Sequence, residues 1–141
     1  MTDYDYKTKP YQHQDDVLKL SWDKTNWAYF MEMGTGKSKV CIDNAAMLAE
    51  RKLIDTFIVV APKGVYRNWA NLEIPAHMPD RVRGECLVAV WRPTPPRALK
   101  QDLVSFMKPS ETFRVLVMNI EALSTVKGQK FLVGVLSLIH I

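Results

Sequence analysis

Met31-Glu32-Met33-Gly34-Thr35-Gly36-Lys37-Ser38 has the residue types and the spacing to grip a phosphate. Gly34 and Gly36 let the backbone turn tightly and bring its N–H groups against phosphate oxygens, where a Cβ would obstruct the approach. Lys37 supplies a mobile point charge for the β- and γ-phosphates, and the Ser38 hydroxyl a ligand for Mg²⁺. Met33, Gly34, Thr35, Gly36, Lys37 and Ser38 are therefore the expected ATP-binding residues, with Ser38 on the metal and Lys37 stabilising the phosphate. An apolar run over 27–31 precedes the loop as an expected strand, and a helix-compatible run over 37–51 follows it. A helix starting there would add the partial positive charge of its N-terminus. The first glycine of the full G-x-x-x-x-G-K-[ST] form is Met31 here. The competing reading is a glycine turn whose Lys and Ser fell there by chance; the flanks favour phosphate binding.

A second cluster lies at the end of the β-branched and aromatic run Thr56-Phe57-Ile58-Val59-Val60-Ala61, which Pro62 stops. A run without alternation reads as a strand covered on both faces, as in a parallel sheet. Ligands of open α/β sheets bind at the carboxyl ends of strands. Pro62, Lys63, Arg67, Asn68 and the backbone amides there are placed to meet a phosphate backbone. A solvated loop with Trp69 packed in the core explains that segment equally well.

Strands alternate with helices along the chain. Residues 11–22 read as a helix with a loose period, with Pro10 in its first turn. Apolar positions Val40, Ile42, Ala45, Ala46, Leu48 and Ala49 give the helix after the glycine loop a face for a sheet. Residues 65–72 read as a helix ended by Pro75 and Pro79, 87–91 as a strand, 92–96 as a proline-rich turn and 97–107 as a helix. Residues 114–118 read as a strand, and those from Glu121 as helical until Gly128. This order predicts βαβ units with right-handed crossovers and a three-layer α/β sandwich around a mostly parallel sheet.

With 141 residues, 48% hydrophobic and 24% charged, the chain fits one ordinary globular domain. A net charge of +4 suits a nucleic-acid surface without establishing one. Cys41 and Cys86 stand far apart with no clustered His, so two reduced, mostly buried thiols are expected rather than a metal site or disulfide. His13, His77 and His140 lack ligand spacing. The acidic, polar start is no signal peptide, and no run reaches the roughly 18 apolar residues of a membrane span. The expected location is the cytoplasm of a bacterium or of a phage-infected host.

Lys9-Pro10-Tyr11-Gln12, then MEMGTGKS, then VVAPKGVYRNW over 59–69 and VLVMNIEAL over 115–123 follow one another in this chain. In order and spacing they resemble the first RecA-like lobe of superfamily-two helicases, and most of all the Swi/Snf-like ATPases and their phage relatives. The resemblance spans about residues 9–123. It implies that Gln12 contacts adenine and that the glycine loop holds the phosphates of Mg·ATP. It implies further that the 61–69 segment and Asn119, in Met118-Asn119-Ile120-Glu121, line a DNA track. Position 31 is often not Gly in that family, which accounts for Met31.

The family's Asp-Glu motif, which holds Mg²⁺ and orients the attacking water, has no counterpart: no Asp or Glu follows Glu121. Asp43, Asp55 and Glu32 are the possible stand-in acids, each in the wrong place by topology. The second lobe, with its arginine finger, is likewise not found. The expectation is an incomplete lobe over 1–135 that binds nucleotide weakly and turns it over negligibly. Residues 131–141 have two readings: a native strand cut before its acids, or a foreign tail over 136–141, with the second favoured. Two rival functions remain, a different small P-loop NTPase and a non-catalytic DNA-binding or regulatory module with a relict loop.

Overall fold

The computed structural model describes residues 4–24, 27–28, 36–92 and 112–136. Among these residues, three parallel strands form a sheet in the order β1-β3-β2: β1 is Thr56–Ala61, β2 Cys86–Val90 and β3 Phe113–Asn119. β3, with five successive buried residues, lies between the other two and pairs Leu116 with Ile58 on one side and Ala89 on the other. That is the covering on both faces which an unalternating apolar run demands.

Helices supply the cover. On one face, α1 (Gln12–Ser21) and α2 (Lys37–Glu50) contribute Leu18, Val40, Ile42, Ala46 and Met47 to a core with Val59, Ala61, Val115 and Val117. The short α3 (Tyr66–Asn68), α4 (Ile74–His77) and α5 (Asp80–Arg83) complete it through Tyr66, Ile74, Met78 and Val82. On the other face, Leu116, Met118, Ala89 and Trp91 pack with Ala122 of a 3₁₀ turn (Ile120–Ser124) and Val135 of α6 (Val126–Leu136). The architecture is α/β with helices on both sides of a small parallel sheet. Among the described residues no helix is long and apolar enough to cross a membrane.

Four expectations need correction. Pro10 lies ahead of α1, whose N-cap is Tyr11, and not in its first turn. The helical path after β1 runs past Leu72 and Pro75 to His77. A π turn over Trp69–Glu73 opens the ladder there, so that Ile74 N–H bonds Trp69 O and Pro75 falls at the start of a fresh turn, where its missing donor costs little. Gly128 does not end a helix; it lies inside α6. Residues 131–136 are helical, not a strand, because Phe131, Leu132 and Val135 share one helix face against the sheet. Trp27 and Ala28 are irregular, and the rest of the expected 27–31 strand lies outside the described residues, as do the 97–107 helix and the 137–141 tail.

The acidic, polar start forms a strap across α1, α2, α4 and α5. Tyr4 is buried and gives its hydroxyl to Asp43 (2.9 Å), while Tyr6 bonds Asp15 (2.8 Å). Lys7 Nζ reaches Pro75 O (2.7 Å) and Asp80 (2.9 Å), and Thr8 Oγ1 meets His77 Nδ1 at 3.0 Å. Burial, and next the ammonium of Lys39, pull the His77 imidazole below its ordinary 6.5, against the opposing pull of Glu73 and Asp43. A depressed imidazole stabilises the fold above 6.5 and progressively less as pH falls towards its folded value, because the unfolded chain then binds more protons. Urea unfolding between about pH 7.5 and about pH 5 should therefore show stability falling with pH, and His77→Gln should flatten that fall. Parallel profiles for the two proteins would contradict it.

Candidate functional site

Gly36 has φ 80° and ψ 40°, the left-handed region, and is the residue from which α2 springs. A side chain there would be strained, and a Cβ would also collide with the Gln14 amide nitrogen. Lys37 and Ser38 are the first two residues of α2, both half-buried, and Gly36 O accepts the first α2 bond, from Val40 N–H at 3.4 Å. The helix is 14 residues long, and its first turn carries no acid to oppose the partial positive charge of its N-terminus. Met33, Gly34 and Thr35 lie outside the described residues.

Gln12 opens α1 with its amide bonded to Asp16 Oδ1 (2.8 Å) on its own exposed helix face. The glutamine that reaches the glycine loop is Gln14. Its Oε1 accepts from Tyr11 N–H (2.8 Å), half of a capping box, and its Nε2 donates to Gly36 O at 3.3 Å. The sequence gives no sign of Gln14, because a capping box is recognised by Ser or Thr at the N-cap and Tyr11 stands there.

One turn into α2, Lys39 and Asp43 form a buried ion pair (2.7 Å) at i and i+4. Lys39 Nζ also stands over the Tyr6 ring, 4.9 Å from its centre. Burial pushes the Asp43 carboxyl up, while Lys39 and the Tyr4 hydroxyl act to hold it ionised. Asp43 is thereby committed to holding the strap and α2 together. Asp55, the other described stand-in acid, accepts from Thr56 Oγ1 (2.8 Å) just before β1.

At the carboxyl ends of the strands a second group converges. Ala61 and Asn119 end β1 and β3 in register. Pro62 O accepts from Val65 and Tyr66 N–H (2.9 and 3.0 Å), which turns the chain into α3. Glu121 bridges the two strand ends: its carboxylate accepts from Lys63 N–H and from Asn119 Nδ2, both at 3.3 Å. Those donors and its own backbone N–H, the largest influence, hold the Glu121 carboxyl below the usual range. Arg67 donates to the Tyr66 hydroxyl (3.3 Å), which itself donates to Trp91 O (3.1 Å) at the end of β2. Lys63, Arg67 and Asn68 are exposed, and Trp69 packs against the core. Pro62, Lys63, Arg67, Asn68 and Asn119 thus lie at or just beyond the carboxyl ends of β1 and β3.

Cys41 and Cys86 are free and half-buried, and burial raises both thiols. In comparisons with known proteins, no family model, no curated protein and no solved structure matches this chain.

Proposed function

We propose that this chain is the RecA-like, ATP-binding lobe of a Swi/Snf-like DNA helicase or translocase, which couples ATP hydrolysis to movement on DNA. The observation that carries the reading is Gly36 in the left-handed region, opening a long helix on Lys37 and Ser38. A helix start of this kind supplies backbone N–H groups for a polyphosphate, with Lys37 and Ser38 in its first turn. Lys37 would neutralise the β- and γ-phosphates, and Ser38 would hold Mg²⁺, which supplies charge stabilisation in phosphoryl transfer. The acceptance of a half-buried bond by Gly36 O, at a position closed to any Cβ, fits a cradle of this kind.

Hydrolysis is a separate matter from binding. It needs a carboxylate on Mg²⁺ and another on the attacking water, and among the candidates within this sequence Asp43 is buried in its own ion pair. These 141 residues by themselves would thus turn bound nucleotide over negligibly.

DNA would run along the carboxyl edge, gripped at its phosphates by Lys63, Arg67, Asn68 and Asn119. Glu121 now engages two of these donors. A DNA phosphate must displace its carboxylate, so Glu121→Gln should tighten binding of a short duplex by roughly 3- to 10-fold at low salt. Lys63→Ala and Arg67→Ala should each weaken binding and lower the salt slope by about 1. Duplex affinity unmoved by all three substitutions would remove DNA from the proposal. DNA binding indifferent to both ATP and Lys37→Ala would point to a relict loop.

A further inference from the structure

Adjacent residues of a helix point away from one another, yet the side chains of Tyr66 and Arg67 in α3 meet. Arg67 Cζ lies 5.6 Å from the centre of the Tyr66 ring, and Arg67 Nε–H donates to the Tyr66 hydroxyl at 3.3 Å. That hydroxyl is a fixed point. Tyr66 is 4% exposed, in the core with Val59, Ala61 and Ile74, and its O–H donates to Trp91 O at 3.1 Å. Trp91 is held in turn: its N–H bonds Val117 O (2.8 Å) and its side chain is buried. A hydroxyl has one proton and two lone pairs, so the proton spent on Trp91 leaves an acceptor for Arg67.

Arg67 itself is exposed, and among the described residues it forms no ion pair and no hydrogen bond besides the one to Tyr66. With Nε engaged, the two Nη groups remain as a planar fork of the kind that grips a phosphate with two bonds. A loose arginine loses rotamer freedom when it takes up such a grip, whereas a tethered one has lost it already.

We propose that Tyr66 is a positioning residue for DNA: its hydroxyl, anchored to the end of β2, holds the Arg67 guanidinium so that the Nη fork meets a backbone phosphate. The inference rests on reading the carboxyl ends of the strands as the DNA track. Lys63 serves as the control, because the bond printed on it by the fold runs from its backbone N–H to Glu121 and not to Tyr66.

Tyr66→Phe keeps the buried ring and removes only the hydroxyl. Binding of a short duplex at low salt, with urea unfolding to show that each variant is folded, should weaken by about 2- to 10-fold. The same substitution should cost nothing further in Arg67→Ala and its full amount in Lys63→Ala, a coupling that a general loosening of the fold would not produce. A second measurement needs only the wild type: nitrogen relaxation of the Arg67 Nε–H without DNA should give an order parameter above about 0.6. If Arg67→Ala weakens binding while Tyr66→Phe binds like wild type, or costs the same with and without Arg67, the positioning role is overturned and the DNA track stands. An Arg67 Nε–H below that order parameter, or duplex affinity unchanged by Arg67→Ala, likewise overturns it. Affinity that neither Arg67→Ala nor Lys63→Ala changes overturns both the positioning role and the track.

Discussion

Asp43→Ala should destabilise the protein by about 3–5 kcal/mol, a large share of the total stability of a domain of this size. Asp43 and Lys39 are 1% and 5% exposed and lie 2.7 Å apart, so removing the carboxylate leaves an ammonium buried without its counter-ion. The Tyr4 hydroxyl loses its acceptor at the same stroke. Tyr4→Phe, which removes only the hydroxyl, should cost about 1 kcal/mol. Replacing both members of the pair, Lys39→Met with Asp43→Leu, should recover most of the loss, because no charge then remains to be solvated. Urea unfolding of the single and double variants measures this directly. A cost below about 1 kcal/mol for Asp43→Ala would show that the pair is solvated and the strap loosely held.

Leu116→Ala is the second large effect, about 2–5 kcal/mol. Leu116 is fully buried at the centre of β3, in the cluster that joins the sheet to the 3₁₀ turn and α6. Its removal opens a cavity between sheet and helix that neighbours held by the ladder cannot collapse to fill. Val60 provides the contrast. It belongs to the adjacent strand, opposite Met118 in register, yet is 42% exposed. Val60→Ala should cost under about 1 kcal/mol by the same measurement. Equal costs at the two positions would mean that α6 does not cover the sheet at Leu116.

The strands were legible because their chemistry is local. Thr56–Ala61 and Phe113–Asn119 are β-branched and apolar without alternation, which only a sheet covered on both faces can satisfy, and parallel pairing followed. The start of α2 was legible for the same reason, since Gly36-Lys37-Ser38 carries its own conformational demand. What the sequence hid depends on partners far along the chain. α6 was split by reading Gly128 as a helix end and the residues from 131 as a strand or a foreign tail. It is a helix because Thr125 Oγ1 caps the Gly128 N–H (3.1 Å), and because Gly128 lacks a Cβ that would strike Ala122 O. The packing of Tyr4 and Tyr6 within the acidic, polar start shows only once Asp43 and Asp15 are brought to them. Gln12 drew attention through its place beside Pro10 and Tyr11, whereas the capping geometry turned Gln14 inwards instead.

At the candidate site, the residue types along the carboxyl edge were readable from Pro62 to Asn68, but Glu121 as the group that occupies their donors was not. Its position depends on the 3₁₀ turn after β3, and that turn is fixed by the packing of Ala122 beneath α6.

The central claim is that Gly36, Lys37 and Ser38 form part of a Mg·ATP site, and calorimetric titration of Mg·ATP into the wild-type chain and into Lys37→Ala tests it most directly. The prediction is saturable one-to-one binding by the wild type, weakened by about 10- to 150-fold in the variant, the worth of about 1.5–3 kcal/mol for a hydrogen bond to a charged group. Absence of binding by the wild type, or equal affinities for the two proteins with both folded, would contradict it.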